Sequence, residues 1–248
     1  MPPATPPAPS GAPTPQTPRQ RYRAQLQQEI KQAALAQIAE GGIEALSINA
    51  IAKTLGMSGP ALYKYFRNRD DLLTALISDG YEDAAEAIRT AAHRTAGRSP
   101  RERLLALAHA YRDWALVQPH RYLLLAGTPA ASYEAPAHTT GSARAVMGPF
   151  LTVLAEGTPW PAAEPLYDEM RAWVEDTPAV AEWAAAYAPA ADDPVPALAA
   201  SVLAWSRMHG IVSLEVQGSF QGMGHDSATL LALEIGSLAD AVGLSSDA

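Results

Sequence analysis

Between Ser47 and Phe66 the apolar positions fall into two short helical groups. Ile48, Ile51, Ala52 and Leu55 follow i, i+3, i+4, i+7 spacing and share one helix face. Leu62 and Phe66, four apart, form the inner side of a second helix, with Tyr63, Lys64 and Tyr65 left outside. Gly56 sits where the chain must turn, and a left-handed backbone there costs glycine little. Ser47 and Ser58 stand where N-caps are expected, and Pro60 suits a first helical turn, where its missing N–H is no loss. The same spacing predicts a preceding helix to about Ala39, burying Leu26, Ile30, Ala33, Ala34 and Ile38. A following helix, capped by Asn68, buries Leu72, Leu73, Leu76 and Ile77.

From about residue 80 the pattern stays helical, with little β-branched alternation and with prolines between segments. Helices are expected at 101–117, 120–126, 143–156, 163–174, 178–188, 195–217 and 226–242, the last capped by Asp226. A loop is expected at 127–141. Residues 1–18 are uncharged and rich in Pro, Ala and Thr, which predicts a disordered tail. The expected fold is all-α: a three-helix head over 19–75 and a helical bundle over 76–244.

Two helices about a glycine turn form a helix-turn-helix, whose second helix can enter a DNA major groove. Charge agrees with that partner. Residues 19–69 carry eight cations (Arg19, Arg21, Arg23, Lys31, Lys53, Lys64, Arg67 and Arg69) against Glu29, Glu40 and Glu44. That segment is +5 in a chain of formal charge −8, so the remainder is −13. A basic head on an acidic body attracts phosphate at one end only. Arg19, Arg21 and Arg23 could reach phosphates or a minor groove.

This head resembles the DNA-binding domain of the TetR family of transcriptional regulators. The matching residues are Gly41-Gly42, Ser47-Ile48, Ile51-Ala52, Leu55-Gly56-Met57-Ser58, Leu62-Tyr63-Lys64-Tyr65-Phe66 and Asn68-Arg69-Asp70-Asp71-Leu72-Leu73. Many members have a basic residue, a glycine and a threonine where this chain has Gly59, Pro60 and Ala61. Base reading is therefore expected to rest on Lys64, backbone groups and contact with thymine methyls. Ser47, Tyr63, Tyr65 and Arg69 are expected at phosphates, Gly59, Pro60, Ala61 and Lys64 at bases, and Ser58 is a further expected DNA-binding residue.

Farther on, Trp205, His209-Gly210-Ile211-Val212-Ser213-Leu214-Glu215 is similar to the C-terminal domain of a TetR subgroup whose last helices pair across a two-fold axis. The resemblance implies a homodimer, with Gly210, Ile211, Leu214, Leu231, Ile235 and Leu238 as expected contacts. It also implies a small-molecule effector. Tyr111, Trp114, Tyr122, Met170, Trp173, Trp205 and Met208 are the candidate pocket residues, with Trp183 beside them and His109, Arg112, Arg171 and His209 as polar groups. The expected function is a homodimeric repressor released from operator DNA by that effector. The alternatives are an activator or architectural factor without an effector, and a helical enzyme or binding protein with a degenerate head.

Nothing points to catalysis. Cysteine is absent, so neither a thiol nucleophile nor thiolate-held zinc is available. The six histidines form no metal-ligand spacing, and no Gly-x-Ser-x-Gly occurs. No cofactor or metal is expected. The chain has no run of about 18 consecutive apolar residues and no basic-then-apolar start, so a cytoplasmic protein without a membrane span is expected.

Overall fold

A computed structural model of the chain describes residues 17–127 and 137–246. They fold as two compact units, Met1–Arg69 and Asp70–Ala248. Every regular element among the described residues is helical.

The first unit holds α1 (Pro18–Gly41), a 3-10 turn (Ile43–Ala45), α2 (Ile48–Thr54) and α3 (Gly59–Leu62). α1 starts earlier than expected because Thr17 and Gln20 build a capping box. Thr17 Oγ1 accepts from the Gln20 N–H at 3.3 Å, and Gln20 Oε1 accepts from the Thr17 N–H at 2.8 Å. Pro18 takes the first helical position. Thr17 and Pro18 thus leave the expected tail, and residues 1–16 lie outside the described residues. α1 buries Ile30, Ala34 and Ile38, while Leu26 and Ala33, expected inside, are only half-buried.

α2 begins on Ser47, whose Oγ accepts from the Ala50 N–H at 3.4 Å. Its end is a Schellman motif. Gly56 is left-handed (φ +64°), the Met57 N–H donates to Ala52 O at 2.8 Å, and the Gly56 N–H donates to Lys53 O at 3.2 Å.

The second unit contains α4 (Arg69–Arg94), of which Arg69 belongs to the first unit, α5 (Pro100–Val117), α6 (Pro119–Ala126), α7 (Ala137–Leu154), α8 (Glu164–Asp176), α9 (Pro178–Tyr187), α10 (Val195–Val216) and α11 (Ser227–Ala241). Part of the expected 127–141 loop is helix, since α7 begins at Ala137; 128–136 lie outside the described residues. Leu72, Leu73, Leu76 and Ile77 of α4 are buried. Asp226 caps α11, its Oδ1 accepting from the Ala228 N–H at 2.8 Å.

α10 is the hub, packed against α5, α6, α7, α8 and α11. By length and composition it could cross a bilayer, with a mean hydropathy of 1.2. Half of that apolar stretch is buried inside the bundle, and the helix is tied to α5 by a bidentate Arg112–Glu215 pair at 2.7 and 2.6 Å. These are the marks of a core helix. One core gathers Leu104, Tyr111, Tyr122, Phe150, Met208 and Ile235; a second gathers Leu151, Val180, Ala184 and Leu198. α7 and α9 pack closely because Gly148 has no side chain: a Cβ there would clash with the Tyr187 ring. Thr152 Oγ1 seals the contact, donating to Tyr187 O at 2.8 Å.

Candidate nucleic-acid interface

In the first unit, α3 is only four residues long, shorter than the second helix expected through Phe66. The Lys64 N–H reaches Ala61 O at 3.3 Å and the Tyr65 N–H reaches Leu62 O at 2.8 Å. These i→i+3 bonds tighten Tyr63–Tyr65 into a turn. Leu62 (fully buried) and Phe66 (5% exposed) anchor its two ends. Ser58, Pro60, Tyr63 and Lys64 lie exposed along the outer edge, with Gly59 and Ala61 half-buried between them. Lys53, in the last turn of α2, is exposed as well, a residue not singled out at this surface from its sequence position. Ser58 stands at the N-cap position, yet its side chain makes no cap bond, contrary to expectation.

Two expected phosphate-binding residues are placed otherwise. Arg69 is half-buried and donates through Nε to Leu46 O at 3.2 Å and through Nη2 to Ile43 O at 2.6 Å. It holds the 3-10 turn before α2, because a guanidinium satisfies paired carbonyls as readily as phosphate oxygens. Tyr65, expected outside, is half-buried with the Arg23 guanidinium 5.7 Å from its ring centroid. Ser47 is half-buried, its N–H donating to Gln37 Oε1 at 2.9 Å. Gln37 therefore fixes the start of α2 from α1, a role its sequence position did not signal.

The expected pocket residues separate into two groups. Tyr111, Trp114, Tyr122, Trp205 and Met208 belong to the first core, Met170, Trp173 and Trp183 to the second. In the first group the rings pack on one another: Tyr111 lies 5.6 Å from Trp205 and 6.0 Å from Tyr122, and His209 stacks on Trp205 at 5.3 Å. Burial pushes the Tyr122 phenol up to about 12 and holds the His209 imidazole below its ordinary value. Tyr122 Oη lies 3.3 Å from His209 Nδ1. The void beside them, reached by Tyr81, Tyr111, Leu125 and Trp205, is about 10 Å³, room for a single water. The Trp114 Nε1–H is buried with no hydrogen-bond partner among the described residues. A larger cleft of about 200 Å³ opens elsewhere, between Arg89, His93, Arg103, Leu107, Thr152 and Tyr187.

Four of the six expected dimer contacts are occupied within the chain. Ile211 is 8% exposed, and Leu231, Ile235 and Leu238 are fully buried in the first core. The outward faces are Ser206, Gly210 and Leu214 on α10, with Gln217 just beyond its end, and Thr229, Leu233 and Ser237 on α11. Leu214 is 44% and Leu233 66% exposed. No group of three His, Asp or Glu side chains able to hold a metal occurs among the described residues.

A capped helix, a Schellman turn and a short exposed recognition element, in a chain that also carries a separate helical bundle, define a helix-turn-helix regulator architecture. Residues 30–76 match the family model for bacterial regulatory proteins of the tetR family, and residues 104–238 that for the tetracyclin repressor-like C-terminal domain. The chain belongs to the TetR family. The HTH-type transcriptional regulator Rv1816 of Mycobacterium tuberculosis is 38% identical over 140 residues, 56% of this chain and 60% of that protein's length. The protein SCO4313, solved as a crystal structure, is 44% identical with a TM-score of 0.74, covering 90% of this chain and all of that one. The regulator FadR from Bacillus subtilis, solved with stearoyl-CoA, shares the fold (TM-score 0.53) at 14% identity, over 87% of this chain and 98% of that one.

Proposed function

We propose that the protein is a homodimeric repressor that binds operator DNA through the Ser58–Lys64 edge and is released by a small-molecule effector. The observation that carries the DNA reading is the division of labour in the recognition turn: Leu62 and Phe66 inside, Ser58, Pro60, Tyr63 and Lys64 outside. Lys64 is the cation facing bases, Tyr63 and Ser58 carry hydroxyls for phosphates, and Pro60 and Ala61 offer apolar contact to thymine methyls.

The test is binding to duplexes selected from genomic DNA, titrated across salt. Affinity should fall steeply with salt, with slope near −0.9 per phosphate contact. Lys64→Ala should lower specific affinity by about 1–2 kcal/mol and relax base preference. Equal binding of selected and random duplexes by the wild-type protein would sink the reading.

The dimer is supported by the adjoining outward faces of α10 and α11. Gly210 has open space around an added Cβ, which lets a neighbouring helix approach, and Leu214 and Leu233 are apolar and exposed. A two-fold pair of heads would meet half-sites about 34–36 Å apart. Joint Leu214→Glu and Leu233→Glu substitution should give a monomer in sedimentation; an unchanged dimer places the interface elsewhere.

The effector reading is supported by the Trp114 N–H, which has no hydrogen-bond partner among the described residues and sits against the Tyr111 and Tyr122 rings. With a void of only 10 Å³, a ligand must displace packed groups to enter. Gly80 and Ala84 put α4 at that site, since a Cβ on Gly80 would meet Leu125 at 3.3 Å and Ala84 lines the void. Ligand entry would therefore move α4. Native mass spectrometry should show a co-purified small molecule whose addition releases DNA; DNA affinity unmoved by any bound compound would remove the effector from the account.

A further inference from the structure

The first two turns of α1 have no buried residue: Arg19 through Gln25 are all exposed, and the first fully buried side chain is Ile30. Across from them, the recognition turn has little to hold it. α3 spans four residues, has no side-chain cap at Ser58, and passes into i→i+3 bonds. A single turn fixes more backbone than its own hydrogen bonds repay, so its shape must come from tertiary contacts. Leu62 and Phe66 supply two of these from inside. A third comes from outside. Arg23 Nη2 donates to Lys64 O at 3.4 Å, and the same guanidinium lies over the Tyr65 ring.

We propose that Arg23 is a positioning residue for base recognition, clamping the Lys64–Tyr65 peptide so that the Lys64 side chain is presented in one orientation. This rests on the DNA reading above and assigns Arg23 a different task from the phosphate contact that its place in a basic segment implies. The planar guanidinium suits both halves of the contact: an N–H for the carbonyl and a flat face for the ring. Lysine would keep the charge and lose the stacking plane. The clamp joins residues 41 positions apart, linking the start of α1 to the reading element. It leaves the surface charge where it was, so it acts on discrimination and not on phosphate attraction.

The two roles differ in what salt reveals. The experiment measures binding of wild type, Arg23→Lys, Arg23→Gln and Tyr65→Leu to a selected duplex and to a random duplex, each over a salt series. A matched thermal melt confirms that every variant is folded, and Arg23→Lys, the mildest change, carries the test if Tyr65→Leu is not. Expected are a roughly tenfold loss for the selected duplex in all three, little change for the random duplex, and an unchanged salt slope. Arg23→Gln combined with Tyr65→Leu should lose no more than either alone, because both remove one clamp. A phosphate contact gives the opposite pattern: Arg23→Gln weakens both duplexes equally, lowers the slope by about 0.9, and is rescued by lysine. That pattern, or variants that bind as wild type does, overturns the proposal. A wild-type protein that holds neither duplex overturns the DNA reading itself and the proposal with it.

Discussion

Glu215→Ala should lower the unfolding free energy by about 3 kcal/mol, the cost of leaving a largely buried guanidinium without its partner. Arg112 and Glu215 are 15% and 16% exposed at their side chains, and two bonds of 2.7 and 2.6 Å join them. An arginine keeps its proton at any ordinary pH, so the guanidinium cannot escape by becoming neutral once its partner is gone. Asp113, 3.7 Å from Nη1, is 70% exposed and offers weak compensation. The check is a urea titration in which the midpoint falls with an unchanged slope. Replacing both partners, Arg112→Met with Glu215→Leu, should recover much of the loss, because the cost lies in the orphaned charge and not in the missing pair. A midpoint for Glu215→Ala equal to wild type would show the pair to be energetically idle.

Leu62→Ala should cost about 3 kcal/mol in the first unit and abolish specific DNA binding together with it. Leu62 is fully buried and ends α3, so the substitution opens a cavity beneath the recognition turn. Its carbonyl accepts the N–H groups of Tyr65 and Phe66, at 2.8 and 3.3 Å, so the turn hangs on this residue's backbone as well. Loss of operator binding at temperatures where wild type binds fully is the readout. Operator affinity equal to wild type would mean that the turn holds its shape without its buried anchor.

Much of this was legible in the sequence because proline and glycine punctuate it. Pro100, Pro119 and Pro178 each open a helix, and Gly56 ends one, and those boundaries fell within a residue or two of expectation. The recognition element was read too long because Tyr63, Lys64 and Tyr65 continue the spacing of a helix; only the local hydrogen bonds reveal the tighter turn. Arg69 misled because a guanidinium suits carbonyl and phosphate alike, and only the three-dimensional position of Ile43 and Leu46 decides between them. On α11 the stripe Leu231, Ile235, Leu238 was expected at a dimer contact and lies in the chain's own core. Periodicity identifies a buried face without saying whether the same chain or another covers it, so Leu233, off that stripe and exposed, was passed over. The aromatic residues were distributed over two cores by helix packing that no single-chain pattern encodes.

The separation of anchors from outer edge in the recognition turn bears on how such a regulator diverges. Gly56, held left-handed, and the buried Leu62 and Phe66 fix the shape, and substitution there is paid in stability. Pro60, Tyr63 and Lys64 face outward, and even at Gly59 an added methyl would meet Asn49 Oδ1 at an ordinary 3.5 Å. Side chains along that edge can therefore be exchanged one at a time with little penalty to folding. A lineage carrying this scaffold is free to drift from one operator to another by single substitutions, each leaving a folded intermediate for selection to act on.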